Sequence, residues 1–88
     1  MHTKQEIAAG VRQAITDRVG YTHAKVGDEK DLELDLGLDR IDVVELVMNV
    51  EESFDIEIAE EEAKKVNTVG DLIGIVTRKL EILGRVEK

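Results

Sequence analysis

Apolar residues recur at helical spacing in three stretches of the chain, separated by segments where that period breaks. Ile7, Ala8, Val11, Ile15 and Val19 share one stripe between Thr3 and Val19. Thr3 and Glu6 make a T-x-x-E capping box ahead of it, and Gly20 stops this first helix. The connection from Gly20 to Leu38 has no helical period. Within it Leu32, Leu34, Leu36 and Leu38 alternate with Glu33, Asp35 and Gly37. That alternation would suit a strand, but nothing else in the chain reads as a strand to pair with it. The segment is therefore expected to be an ordered loop that tucks its leucines onto the core. A loop this long is uncommon unless it serves a purpose.

The second helix starts at Asp39, whose carboxylate can accept from the backbone N–H of Ile41 or Asp42. Ile41, Val44, Val47 and Met48 follow the helical period, Val43, Leu46 and Val50 widen the stripe, and the helix ends near Ser53 or Phe54. A short extended piece, Asp55 to Ile58, leads to a short helix from about Glu60 to Lys65. Acids lead and lysines trail there, which complements the helix dipole. Thr68 caps the last helix with Asp71 three residues on. Its expected buried face is Leu72, Ile73, Val76, Leu80 and Leu83, Gly84 is its expected cap, and Val86 to Lys88 should fray. The pattern predicts an all-α fold: a four-helix bundle over residues 1–88, with a short third helix and a long loop between helices 1 and 2.

Length and charge narrow the function. Eighty-eight residues make one domain, which buries only about 60–65% of its unfolded surface. No cysteine is present to form a disulfide or a thiolate metal site, and Tyr21 and Phe54 are the only aromatics. The net charge is −8, with 20 acids against 12 bases. That excludes a nucleic-acid partner and an anionic membrane surface, and it favours basic protein partners. No apolar run is long enough to insert into a membrane, and MHTKQEIAAG lacks the apolar stretch of a signal peptide. A monomer in the cytoplasm is the expectation.

Catalytic and metal chemistry find little support. His2 and His23 lack a partner at ligand spacing, so no zinc site is expected. The acidic run D-L-E-L-D-L-G fails the calcium-loop pattern: counted from Asp31, its sixth residue is Leu36 and its twelfth is Asp42. Ser53, the only serine, has no histidine nearby, and no glycine-rich phosphate loop exists. An enzyme is not expected. The densest feature is the acidic second helix, with Asp35, Asp39, Asp42, Glu45, Glu51 and Glu52 flanking Val43, Val47 and Met48 as candidates for exposed apolar residues. It reads either as a solvated face or as a docking surface, an apolar anchor ringed by charge.

The stretch D-L-G-L-D-R-I-D-V-V-E-L-V-M, Asp35 to Met48, resembles the D-L-G-x-D-S-[LI]-D-x-[VI]-E-[LF]-[VI]-M pattern of the acyl carrier protein family. The runs E-E-S-F-D-I-E-I (Glu51 to Ile58), E-E-E-A-K-K-V (Glu60 to Val66) and T-V-G-D-L (Thr68 to Leu72) keep the family order, so the resemblance spans Ile7 to Leu80. It implies a carrier that tethers acyl chains as thioesters of 4′-phosphopantetheine for fatty acid or related lipid biosynthesis. The family's Ser carries that arm at a helix N-terminus, where free N–H groups and the dipole welcome phosphate. Arg40 stands at the matching position, between Asp39 and Ile41, and offers no hydroxyl. The resemblance thus implies either a carrier whose attachment residue is replaced or a non-loading homologue that works as an interaction or regulatory module. A cation at this helix position also loses about 0.3–1 kcal/mol to the dipole.

By the same resemblance, Asp35, Asp39, Asp42, Glu45, Met48, Glu51, Glu52, Ile58 and Ala63 match the docking surface. Its partners are the basic patches of ketosynthases, reductases, dehydratases, acyltransferases and the phosphopantetheinyl transferase. Val44, Val47, Phe54, Ile58, Val66 and Leu72 match an acyl pocket between helices 2 and 3. Lys64 stands where acids are frequent, Ala59 replaces a common proline, and the last helix runs past the usual end through Ile82 and Leu83.

Overall fold

The computed structural model describes residues 1–20 and 26–87, and the readings that rest on Tyr21, His23 and Lys88 lie outside them. Four helices follow in order: α1 (Lys4–Val19), α2 (Arg40–Phe54), α3 (Glu60–Ala63) and α4 (Val69–Ile82). Among the described residues there is no strand, only isolated bridges at His2–Val86 and Asp31–Thr68. None of these helices is long and apolar enough to cross a membrane.

Each long helix starts on a reciprocal cap. Thr3 Oγ1 accepts from the Glu6 N–H at 3.0 Å while Glu6 Oε1 accepts from the Thr3 N–H at 2.9 Å. The pairs Asp39–Asp42 and Thr68–Asp71 repeat the arrangement. Such caps satisfy N–H groups that the helix itself leaves open. The apolar stripes then meet in one core. Ile7, Val11 and Ile15 of α1 pack with Val43, Leu46, Val47, Val50 and Phe54 of α2 and Val69, Leu72, Val76 and Leu80 of α4. Each such side chain contributes about 1.5–3 kcal/mol when fully buried. α1 lies against both α2 and α4.

The long loop is pinned rather than loose. Leu32 N–H donates to Asn67 O at 2.8 Å, and Val69 N–H donates to Lys30 O at 3.0 Å, so the loop is held against the start of α4. Arg12 Nε reaches Val26 O at 3.1 Å, and its guanidinium also pairs with Asp28. Leu32, Leu36 and Leu38 are buried as expected, but Leu34 is 87% exposed. The reason is a turn. Asp31 Oδ1 accepts from the N–H groups of Glu33 and Leu34, both at 2.9 Å, and Asp31 O accepts from Asp35 N–H. The backbone coils there, so the period-two spacing does not put all four leucines on one side.

Three further expectations are corrected. α3 stops at Ala63 instead of reaching Lys65, and both lysines lie in the turn that follows. Leu83 is 52% exposed rather than part of the buried face of α4. The helix ends at Ile82, and Gly84 follows with φ +70°, a left-handed conformation that a glycine adopts without steric cost. The C-terminal segment does not fray over its described residues. His2 N–H donates to Arg85 O at 2.8 Å, Glu87 N–H donates to His2 O at 2.7 Å, and Val86 packs against the core. Arg85 Nη1 also donates to the carbonyls of Phe54 and Asp55 at the end of α2, at 3.1 and 2.9 Å. The tail thereby ties the start of α1 to the end of α2.

Candidate functional site

The site is built where the pinned loop turns into α2. Gly37 takes φ +75°, which redirects the chain after the Asp31–Leu36 turn. Leu38 is then buried, and Asp39 takes the N-cap with an extended backbone, φ −91° and ψ 178°. Its Oδ1 accepts from Asp42 N–H at 2.8 Å, and Asp42 Oδ2 accepts from Asp39 N–H at 3.1 Å. Both acids expected to cap α2 do so, with Asp42 rather than Ile41 as the donor. Arg40 is the first residue of the helix. Its Nη2 lies 3.0 Å from Glu33 Oε1, across the turn of the loop. Ser53, the only serine, lies in the last turn of α2, at the opposite end of the helix.

The acids of α2 are not equally free. Asp42 Oδ1 and Glu45 Oε1 lie 3.5 and 3.4 Å from Nη1 of Arg18, near the end of α1. Glu51 Oε2 accepts from the Ile58 N–H at 2.8 Å, which ties the end of α2 to the segment ahead of α3. Asp35 Oδ2 accepts from Asp31 N–H at 2.7 Å. Glu52 and Asp39 remain exposed. The exposed apolar residues among these acids are Ile41, Val44 and Met48, at 71%, 47% and 58%. Val43 and Val47, expected to be exposed, are buried at 1% and 3%. They are buried because the apolar arc of α2 is wide and packing into the common core covers part of it.

Between α2 and α3 lies a cavity of about 180 Å³, lined by Arg40, Val43, Val44, Val47, Glu60, Ala63 and Lys64. Of the expected pocket residues, Val44 and Val47 line it. Phe54, Ile58, Val66 and Leu72 are buried in the common core and do not line it. Ala63 is half-buried on α3, while Ile58 is 7% exposed and precedes that helix. Sequence reasoning missed Arg18 and Glu33. Each acts through a contact across the fold, and neither has a local signal that points to its partner. Among the described residues no group of three or more His, Asp or Glu stands together as a metal site.

The family model described as the phosphopantetheine attachment site matches residues 9–76, from within α1 to within α4. The chain belongs to the acyl carrier protein family. It is 38% identical over 78 residues to an acyl carrier protein of an Exiguobacterium species, covering 89% of this chain and 99% of that relative. Its fold is similar to a solved acyl carrier protein from Enterococcus faecalis, with a TM-score of 0.76 at 30% identity, covering 88% of this chain and 98% of that one. Members of this family carry acyl chains on phosphopantetheine and are carriers rather than catalysts. In this carrier chain, the N-terminus of α2 presents a guanidinium held by Glu33, an acidic face with an apolar centre, and a small cavity beside them.

Proposed function

We propose that this chain is an acyl-carrier-type protein of fatty acid or related acyl metabolism whose attachment position is closed by Arg40. The observation that carries the reading is the side chain at the first position of α2. It is a guanidinium, 3.0 Å from Glu33, on a helix end whose cap and flanking acids are intact. A guanidinium has no hydroxyl to form the phosphodiester and stays protonated. 4′-Phosphopantetheine is therefore not attached at position 40, and the chain as written is a blocked carrier, a single, monomeric, cytoplasmic domain.

Docking is retained in this reading. Ile41, Val44 and Met48 form the apolar centre, and Asp35, Asp39, Asp42, Glu45, Glu51 and Glu52 ring it. Ala63 extends the surface onto α3. The partners are the basic surfaces of ketosynthases, reductases, dehydratases, acyltransferases and phosphopantetheinyl transferase, reached by electrostatic steering. A competition assay tests this. A broad-specificity transferase loads the Arg40→Ser form while increasing amounts of the unaltered chain are added. Competitive slowing of loading, relieved by salt, is the expected result. No slowing at a large excess of the unaltered chain contradicts it.

The Glu33–Arg40 contact supports a second reading, because the cation has an acid partner built into the loop. In that reading the chain is a non-loading homologue, an interaction or regulatory module that binds a dedicated basic partner without a prosthetic group. Capture from the source cell separates the two: enzymes of acyl metabolism support the first, an unrelated complex the second.

A further inference from the structure

We propose that Leu34 is a preformed apolar anchor that carries the docking surface off α2 onto the long loop. It fits a partner face with an apolar socket rimmed by lysine and arginine. The proposal deepens the docking reading above and rests on it.

Leu34 is 87% exposed, more than any other large apolar side chain among the described residues. A single exposed leucine is ordinary on a protein surface. This one is set apart by how it is held. Every backbone N–H from Asp31 to Asp39 donates to a partner within the protein. Asp31 is the hub. Its Oδ1 accepts from Glu33 and Leu34, and its carbonyl accepts from Asp35 and Leu36 at 2.9 and 3.1 Å. The turn is therefore rigid, and its backbone is already ordered before a partner arrives. Presenting Leu34 costs little further entropy on binding, which is where a preorganised anchor gains affinity.

Placement and charge identify the partner. The Glu33–Arg40 contact holds this turn against the first residue of α2. Leu34 follows one member of that ion pair in the chain, and Ile41 follows the other. Ile41 is 71% exposed and belongs to the apolar centre of the proposed docking face, so the turn adds a second apolar residue beside that centre. Asp31, Glu33 and Asp35 surround Leu34 in the chain, and among the described residues only Glu33 has a cation partner. The rim of the anchor is thus acidic and calls for a cationic rim opposite it. A second copy of this chain, with its net charge of −8, would set acid against acid.

The test is a calorimetric titration of a broad-specificity phosphopantetheinyl transferase with the unaltered chain and its Leu34 variants. Leu34→Ala should weaken binding about tenfold, and Leu34→Met should nearly preserve it. Leu34→Glu is the deciding variant: it should weaken binding although it adds an acid to the face. Leu83→Ala removes an exposed leucine beyond the end of α4 and should leave affinity unchanged. Thermal melts of Leu34→Ala and the unaltered chain should coincide, because a side chain in water supports no core. Unchanged affinity of Leu34→Ala, or tighter binding of Leu34→Glu, overturns this inference and leaves the docking reading standing. A dimer of the unaltered chain that Leu34→Ala abolishes assigns the side chain to a second copy and also overturns it. No binding of the unaltered chain by an active transferase overturns the inference and the docking reading together.

Discussion

Nη2 of Arg40 lies 3.0 Å from Oε1 of Glu33, so the first residue of α2 is tied to the loop that delivers the chain to it. The contact answers a local penalty. A cation in the first helical turn loses about 0.3–1 kcal/mol to the dipole, and a nearby carboxylate offsets it. Both side chains are substantially exposed, 52% and 40%, which limits the pair to about 1 kcal/mol. Glu33→Gln should therefore lower unfolding stability by less than about 1 kcal/mol, with a smaller effect at high salt. Urea denaturation at two salt concentrations measures it. A loss of several kcal/mol would mean that the loop depends on this pair far more than its exposure allows.

Arg18 is an internal counter-ion for two acids of the proposed docking face. Its Nη1 stands 3.5 Å from Asp42 and 3.4 Å from Glu45, while its Nε is buried and has no partner among the described residues. A basic partner must compete with it for those two carboxylates. Arg18→Gln in the Arg40→Ser background should raise the association rate with a transferase several-fold at low salt. The difference should shrink as salt screens the rim charges. Stopped-flow binding measures the rate, and an unchanged or lower rate at low salt contradicts the expectation.

Two glycines inside helices should respond in opposite directions to alanine. A Cβ on Gly74 meets nothing within 4 Å, so Gly74→Ala should stabilise by up to about 1 kcal/mol through helix propensity. A Cβ on Gly10 would stand 2.7 Å from Cζ of Phe54. That ring is buried and meets His2 edge-on at 5.3 Å, so it has little room to retreat. Gly10→Ala should destabilise by about 1–3 kcal/mol as an overpacked contact. Thermal melts of the two variants side by side give the comparison. Stabilisation by both would show that the α1–α2 contact is looser than described.

Acid should weaken the fold through its caps. The Asp71 carboxyl is held below its ordinary value by hydrogen bonds from the backbone N–H groups of Thr68 and Asn67. Glu62 is lowered first by its bond from Lys79, at 2.7 Å, and Glu6 first by the backbone N–H of Thr3. Groups with lowered values bind protons less readily when folded. Their contribution is present above the unfolded carboxylate value, about pH 4, and disappears as pH falls through the lower folded values. Urea midpoints should hold steady from neutral pH to about pH 5, then fall. Asp71→Asn should reduce the size of that fall, and a midpoint that rises on acidification contradicts the assignment.

The caps and stripes were legible in the sequence because they are local. Thr3–Glu6, Asp39–Asp42 and Thr68–Asp71 each lie three residues apart, and the backbone alone brings them together. What could not be read depends on how elements meet. Leu34 points outward because Asp31 closes a turn beneath it, which the leucine spacing does not encode. Val43 and Val47 are buried while Ile41 and Met48 are not, because α2 is apolar over a wide arc and only packing selects the inner half. Pairings of the acids with Arg18, and of Arg40 with Glu33, join residues from different elements. The tail clasp through His2 and Arg85 joins opposite ends of the chain.

The central claim concerns one side chain, and mass spectrometry of the intact chain reads it directly. The unaltered protein and Arg40→Ser are each incubated with coenzyme A, magnesium and a broad-specificity phosphopantetheinyl transferase, then weighed. The account predicts no added mass on the first and one phosphopantetheine on the second. Added phosphopantetheine on the unaltered chain, or none on Arg40→Ser with an active transferase, contradicts it.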